Sequence, residues 1–207
     1  MTGKIQIDLF STLDGVMQAP GGPEEDTSGG FAYGGWQAPF EDEAMGERII
    51  AGIRGMDALL LGRRTYDIFA AYWTAFADDG RPEFEIARKF NAMPKYVATR
   101  GEQELTWQNS HRLGPDLAAE IAGLRERHDD VHVVGSIDFA RTLVAEGLFD
   151  VLNLVVYPIV LGAGKRLFPE AGGARGLTLL EAPVSGSAGA VWLRYGPGAP
   201  VRTGDMT

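Results

Sequence analysis

The 207-residue sequence has no cysteine, which removes disulfides, thiolate nucleophiles and cysteine-bound metals from consideration. Histidine is scarce. His111, His128 and His132 follow no metal-ligand spacing, so they read as surface or strand-end residues and no metal is expected. Positive charge is in deficit, with 19 Lys and Arg against 28 Asp and Glu and a net charge of −9. That balance argues against a broad basic face for nucleic acid. Long apolar runs are missing as well. The longest, Val151 to Leu161, contains Asn153 and Pro158 and is too short to cross a bilayer. Met1 to Phe10, with one lysine and an interrupting Asp8, does not have the form of a secretory signal. These absences predict a soluble, cytoplasmic protein without nucleic-acid or membrane partners.

What remains is an ordinary globular balance, 45% apolar and 23% charged, with 28 glycines that imply many turns. Periodicity predicts strands over Lys4–Phe10, Met56–Gly62, Lys95–Thr99, Leu105–Asn109, Val131–Val134 and Asp150–Tyr157. Helices are expected over Glu41–Gly55, Thr65–Trp73, Pro82–Asn91, Asp116–Arg127 and Ser136–Glu146. The last helix and its flanking strands read as a βαβ unit with a right-handed crossover. Leu177–Ala182 and Ala190–Tyr195 predict a closing antiparallel hairpin. Ser11 to Pro39, rich in Gly and Pro, has no period and forms a long loop of the kind that is usually functional. The reading is one α/β domain with a mixed sheet over residues 1–196, followed by a polar, frayed tail at 197–207.

Several familiar motifs fail. No G-x-G-x-x-G exists. Gly162-Ala163-Gly164-Lys165-Arg166 imitates a phosphate loop, but the upstream glycine is missing and Arg166 stands where Ser or Thr would hold magnesium. Val134-Gly135-Ser136 lacks the leading glycine of a nucleophile elbow. Four turns at strand ends carry the chemistry instead. Gly62-Arg63-Arg64-Thr65 offers two guanidinium groups at a helix start, where phosphate binds well. Thr99-Arg100 repeats a hydroxyl–guanidinium pair, Gly135-Ser136 opens another helix, and Ser11-Thr12-Leu13-Asp14-Gly15 opens the long loop. Each has a plainer reading, as a solvated strand end, a turn, an N-cap and an Asp-Gly turn respectively. Together they place four candidate phosphate- or ring-contacting turns beyond the carboxyl ends of strands, where open α/β sheets bind ligands.

The order S-T-L-D-G (11–15), L-G-R-R-T-Y (61–66), K-Y-V-A-T-R (95–100), V-V-G-S (133–136), E-G-L-F-D (146–150) and P-I-V-L-G-A-G-K-R-L-F (158–168) resembles the dihydrofolate-reductase-like superfamily. It is most similar to the C-terminal reductase domain of bacterial bifunctional riboflavin deaminase-reductases and its stand-alone relatives. The resemblance implies a three-layer α/β/α sandwich on a mixed sheet with a C-terminal β-hairpin, and NADPH as cofactor. It places Gly62, Arg63 and Arg64 at the phosphates, with Thr65 capping the helix toward them. Thr99 and Arg100 would flank the 2′-phosphate, Gly135, Ser136, Ile137 and Asp138 would underlie the pyrophosphate, and Ser11 and Thr12 would edge the nicotinamide. The loop from Asp14 to Gly35 corresponds to a flap and Gly162–Lys165 to the loop it leans on. Phe31, Tyr33 and Trp36 are candidate substrate-pocket walls, and Asp14 or Glu43 candidate proton handlers. Where the riboflavin reductase has an acidic residue before its phosphate-binding glycine, this sequence has Val133 and Val134. The implied activity is hydride transfer to a small pyrimidine- or pterin-like substrate by a homodimer. Dihydrofolate reductase proper, a non-catalytic nucleotide-binding dimer module and an α/β domain without a nucleotide site are the alternatives.

Overall fold

The computed structural model describes residues 2–76, 82–170 and 173–205, with the side chains of Pro82 and Glu83 left aside. Strand β1 (Lys4–Thr12) alternates strictly: Ile5, Ile7 and Leu9 are buried while Gln6, Asp8 and Phe10 lie on the opposite face. Helix α1 (Glu43–Gly55) starts where the Asp42 carboxylate accepts the Met45 N–H at 2.9 Å. Strand β2 (Ala58–Gly62) is apolar on both faces and leads straight into α2 (Arg63–Trp73). Helix α3 (Pro82–Ala92), β3 (Lys95–Ala98), β4 (Ser110–Arg112) and α4 (Leu117–Arg127) follow. Then come β5 (Asp130–Val134), α5 (Ile137–Glu146) and β6 (Val151–Tyr157). Helix α5 ends on Gly147 at φ 69°, whose N–H returns to the Leu143 and Val144 carbonyls. Strands β7 (Leu177–Leu179), β8 (Val184–Ser185) and β9 (Val191–Pro197) close the chain.

The sheet runs β4-β3-β2-β5-β1-β6-β9-β7, with β8 also on β9. From β4 to β6 the pairs are parallel, and β9 then runs antiparallel to β6, β7 and β8. Alternate residues of β2 show the layering. Ala58 and Leu60 join a core with Ile121 and Leu124 of α4 and Leu143 of α5, whereas Leu59 and Leu61 join one with Tyr66 of α2 and Phe90 of α3. Helices thus cover both faces, which gives the expected three layers. A third apolar cluster (Val16, Phe31, Trp36, Met45, Tyr157, Trp192) lies beneath the long loop.

The βαβ unit is present as expected, with β1 inserted between β5 and β6 and paired with both. Two expectations are corrected. The strand expected over Leu105–Asn109 lies instead at Ser110–Arg112. The tail is tied further along than expected, since β9 reaches Pro197 and the Gly198 N–H donates to Gly176 O at 3.0 Å. Met206 and Thr207 fall outside the described residues.

Candidate active site

Strand order fixes where a ligand can lie. From β2 the chain moves outward to β3, whereas from β5 it crosses to β6 on the other side of the sheet, and β2 and β5 are neighbours. Loops leaving their carboxyl ends diverge and open a crevice, the usual ligand position in such sheets. Gly62 and Ser136 meet there, with the Gly62 N–H donating to Ser136 Oγ at 2.8 Å. A Cβ on Gly62 would lie 3.3 Å from both Ser136 and Phe139, so only glycine permits this approach without displacement. Gly135 and Ser136 turn the chain with φ of 70° and 59°. Because its hydroxyl is engaged by Gly62, Ser136 provides no side-chain cap to α5, and α2 likewise begins without one. Two helix starts therefore present uncapped N–H groups and positive dipole ends at one crevice.

A cleft of about 2560 Å³ extends from this crevice over the sheet to α1. It brings together every expected cofactor residue from three separate turns: Gly62 to Thr65, Thr99 to Arg100, and Gly135 to Asp138. The three arginines differ in availability. Arg63 Nε lies 2.9 and 3.0 Å from the Asp67 oxygens, and its Nη1 donates to Gln103 O at 3.0 Å. Arg64 Nη1 donates to Ser28 Oγ at 2.8 Å and to Asp26 at 3.2 Å. Arg100 is exposed and has no ion-pair or hydrogen-bond partner among the described residues. Asp26 also meets Lys165 Nζ at 2.5 Å. Burial pushes its carboxyl up, but the bonds from Lys165 and Ser28 outweigh this and hold it down to about 2.

Thr65 lines the cleft but sits inside the first turn of α2 and is no cap, because Gly62 stays extended (φ −74°, ψ 154°) and the helix begins at Arg63. Other expected residues do not line the cleft. Ser11 and Thr12 are buried in the last residues of β1, which runs beyond its expected end. Thr12 Oγ1 accepts the Val16 N–H at 2.9 Å and donates to Asp14 at 2.6 Å. Asp14 faces the 161–166 loop, accepting from the N–H groups of Leu161 (3.2 Å) and Gly162 (2.8 Å) and from Arg166 Nη2 (3.3 Å). Burial raises its pKa, yet the bonds from Thr12, Leu161, Gly162 and Arg166 prevail and set it at about 2. So strong an acid is ionised near neutrality and has no proton to give.

Phe31 and Trp36 are buried in the cluster beneath the loop, Trp36 edge-on to Tyr157 at 5.6 Å and donating to Gln18 O at 2.8 Å. Tyr33 is half exposed against Phe31. These aromatics hold the loop together and do not wall the cleft. Glu43 lies in the first turn of α1, off the cleft, and the helix presents Arg48, Ile49, Gly52 and Ile53 to it instead.

Sequence reasoning missed the cleft floor. His132, read as a surface or strand-end residue, is 3% exposed on β5. Its Nδ1 lies 2.5 Å from Asp8 Oδ2 on β1, and its Nε2 3.2 Å from Asp130 Oδ1, without hydrogen-bond alignment at the latter. Asn153 Nδ2 on β6 donates to the other Asp8 oxygen at 2.8 Å, and Arg194 Nε on β9 donates to Asn153 Oδ1 at 2.9 Å. Gln6 Nε2 donates to Asp130 at 2.5 Å. Burial would lower the His132 pKa, but its two carboxylate partners prevail and raise it to about 9. The available signal was period two, in which polar Gln6, Asp8, Asp130, His132 and Asn153 alternate with buried aliphatics along three strands.

A mixed sheet sandwiched by helices, with a cleft at its carboxyl edge, defines the dihydrofolate-reductase-like fold. Dihydrofolate reductase from Enterococcus faecalis, solved in complex with NADP(H), superimposes with TM-score 0.56 at 14% identity, covering 96% of this chain and 99% of that one. A putative riboflavin biosynthesis protein from Shewanella sp. PV-4 superimposes with TM-score 0.70 at 17% identity, covering 95% of this chain and 99% of that one. The family model described as the RibD C-terminal domain matches residues 3–187, and the chain belongs to that family, whose reductase domains are generally oxidoreductases. A curated relative, the uncharacterized protein YyaP of Bacillus subtilis (strain 168), is 26% identical over 166 residues, 80% of each chain. Among the described residues no helix is long and apolar enough to cross a membrane, and no cluster of metal-ligating side chains occurs.

Proposed function

We propose that the protein is an NADPH-dependent reductase acting on the C=N or C=O carbon of a small, pyrimidine- or pterin-like heterocycle. The observation that carries this reading is the convergence of the β2, β3 and β5 turns on one cleft. The residues suit such a dinucleotide. Two uncapped helix starts fit its pyrophosphate, and the Arg100 guanidinium, without a partner among the described residues and beside Thr99, fits a further phosphate. When bound, NADPH supplies the hydride. The chain's own residues bind the phosphates, orient the ring and exclude water, with Ile49, Ile53, Ile68 and Phe69 giving the cleft an apolar wall suited to a flat heterocycle.

Arg100 is the sharper probe of the cofactor, because Arg63 and Arg64 already have protein partners. A charge-assisted hydrogen bond contributes about 1.5–3 kcal/mol, so Arg100→Ala is expected to weaken NADPH by roughly 10- to 100-fold. NADH affinity, followed by the same tryptophan-fluorescence titration, is expected to change less than about twofold. Equal loss for both cofactors would remove the 2′-phosphate assignment, and no NADPH binding by the wild type would remove the reading itself.

A further inference from the structure

We propose that Asp8, His132 and Asp130 form a proton-donating site at the cleft floor, in which His132 stores the proton and Asp8 delivers it to the substrate. This rests on the reductase reading above and supplies the donor that neither Asp14 nor Glu43 can be. Three observations place the site. First, Asp8, Asp130 and His132 all line the cleft. Asp8 pairs in register with Val134, one residue before Gly135, and its carbonyl accepts the Gly135 N–H at 3.3 Å, so the floor adjoins the candidate pyrophosphate turn. Second, Asp8 is held fixed. Each oxygen accepts one donor, Asn153 Nδ2 or His132 Nδ1, which leaves acceptor capacity on a side chain 24% exposed. Third, His132 Nε2 is buried without an aligned hydrogen-bond partner. A buried imidazolium between two carboxylates is a costly way to fill a strand interior, and apolar residues of similar size would serve packing at least as well.

The surrounding charges are accounted for. On β1, Gln6 and Asp8 face His132, and on β5 Asp130 does. Asn153 of β6 connects to Arg194 of β9, whose Nη1 donates to Glu181 at 3.2 Å. Arg48 of α1 also pairs with Glu181, at 3.6 Å, and β2 contributes apolar Leu59 beside His132. His132 therefore keeps its proton until about pH 9, a suitable strength for protonating the strongly basic atom left by reduction. NADPH, when bound, would supply the hydride that forms the C–H bond at the carbon of the C=N or C=O group. The π electrons move to the nitrogen or oxygen; the His132 Nδ1 proton passes to Asp8 Oδ2, and Asp8, then a carboxylic acid, gives a proton to that atom and returns to the carboxylate. His132 is left neutral and regains a proton from water on the Asp130 side.

The test needs no turnover. The His132 ring is followed by NMR from neutral to alkaline pH in the wild type and in Asp8→Asn. The expected midpoint is about 9 in the wild type, with a drop of at least about one unit in the variant. A cyclic imine, 3,4-dihydroisoquinoline, is then added at a pH between its own pKa and that of His132, and its protonation is read from its absorbance. The wild type is expected to bind it as iminium, whereas Asp8→Asn and the second variant, His132→Gln, bind it unprotonated. A midpoint unmoved by Asp8→Asn, or an imine left unprotonated by the wild type, overturns the proposal. NADPH binding, measured separately by tryptophan quenching, keeps the two readings apart. Absent cofactor binding with the expected NMR and absorbance changes would discard the reductase reading and leave the proton site standing.

Discussion

His132 is bound more tightly to its proton in the folded chain than in the unfolded one, with a pKa raised from 6.5 to about 9. Its contribution to stability is complete below the unfolded value and disappears as pH climbs through the folded one. Lys95 runs the other way. It is fully buried, donating to the carbonyls of Met93 (2.8 Å), Asn91 (3.0 Å) and Gln108 (3.0 Å), and burial lowers its pKa from 10.5 to about 8. Its effect on pH dependence therefore begins only near that lower value. Between pH 6.5 and 8 the wild type is expected to lose up to about 1 kcal/mol per pH unit, and His132→Gln to show a much flatter profile. Urea unfolding at several pH values measures this. At this scale the sequence was legible where backbone chemistry constrains it. Gly62, Arg100 and Gly135 stand at strand ends, and turns announce themselves through glycine and flanking charge. Asp8 and His132 were not legible, because a polar residue in a strand reads equally well as a wet face, and the partner that gives each its meaning is 124 positions away.

Among the connecting elements, the loop after β6 is fixed by a single glycine. Gly164 has φ 134°, and a Cβ there would sit 2.5 Å from Val16 Cγ1 and 3.0 Å from Phe31 Cε2. Gly164→Ala is expected to cost about 2–4 kcal/mol through backbone strain and overpacking, as a lowered midpoint in denaturant at unchanged slope. The expectation that this loop supports the long one agrees with the structure: Met17 N–H donates to Lys165 O at 2.8 Å, and Val16 bridges Arg166. Element type was readable for the helices and for the buried strands, whose patterns are long or wholly apolar. The misplaced β4 has a physical cause. Leu105 and Trp107 alternate with polar neighbours because they pack onto the α2–α3 cluster, not because they pair in a sheet. The Trp107 N–H is bonded to Tyr66 Oη at 2.7 Å and its indole to Asn91 at 2.6 Å, so side chains occupy the groups a ladder would use.

Over the whole molecule, strand order was the least legible feature, because it depends on pairings between distant segments that no local pattern encodes. A βαβ signal specifies two parallel strands but not whether a third enters between them. The layers and the carboxyl-edge cleft, by contrast, follow from alternation along β2 and from the turn chemistry at its end. Strand β9 covers β6 from Leu152 to Val156 and contributes Arg194 to the cleft floor. A chain truncated before β9 therefore leaves an apolar inner strand with an open side. It is expected to lose cooperative unfolding and to aggregate, as judged by thermal scans and light scattering; a monomeric, cooperatively unfolding truncation would show that the parallel strands suffice.

Strand β1 finds its neighbours at residues 130–134 and 151–157. During synthesis it leaves the ribosome long before either neighbour exists, and both its edges stay open meanwhile. The centre of the sheet is thus sealed late, by segments arriving from far downstream, and the aliphatic side of β1 stays without its sheet partners until they arrive.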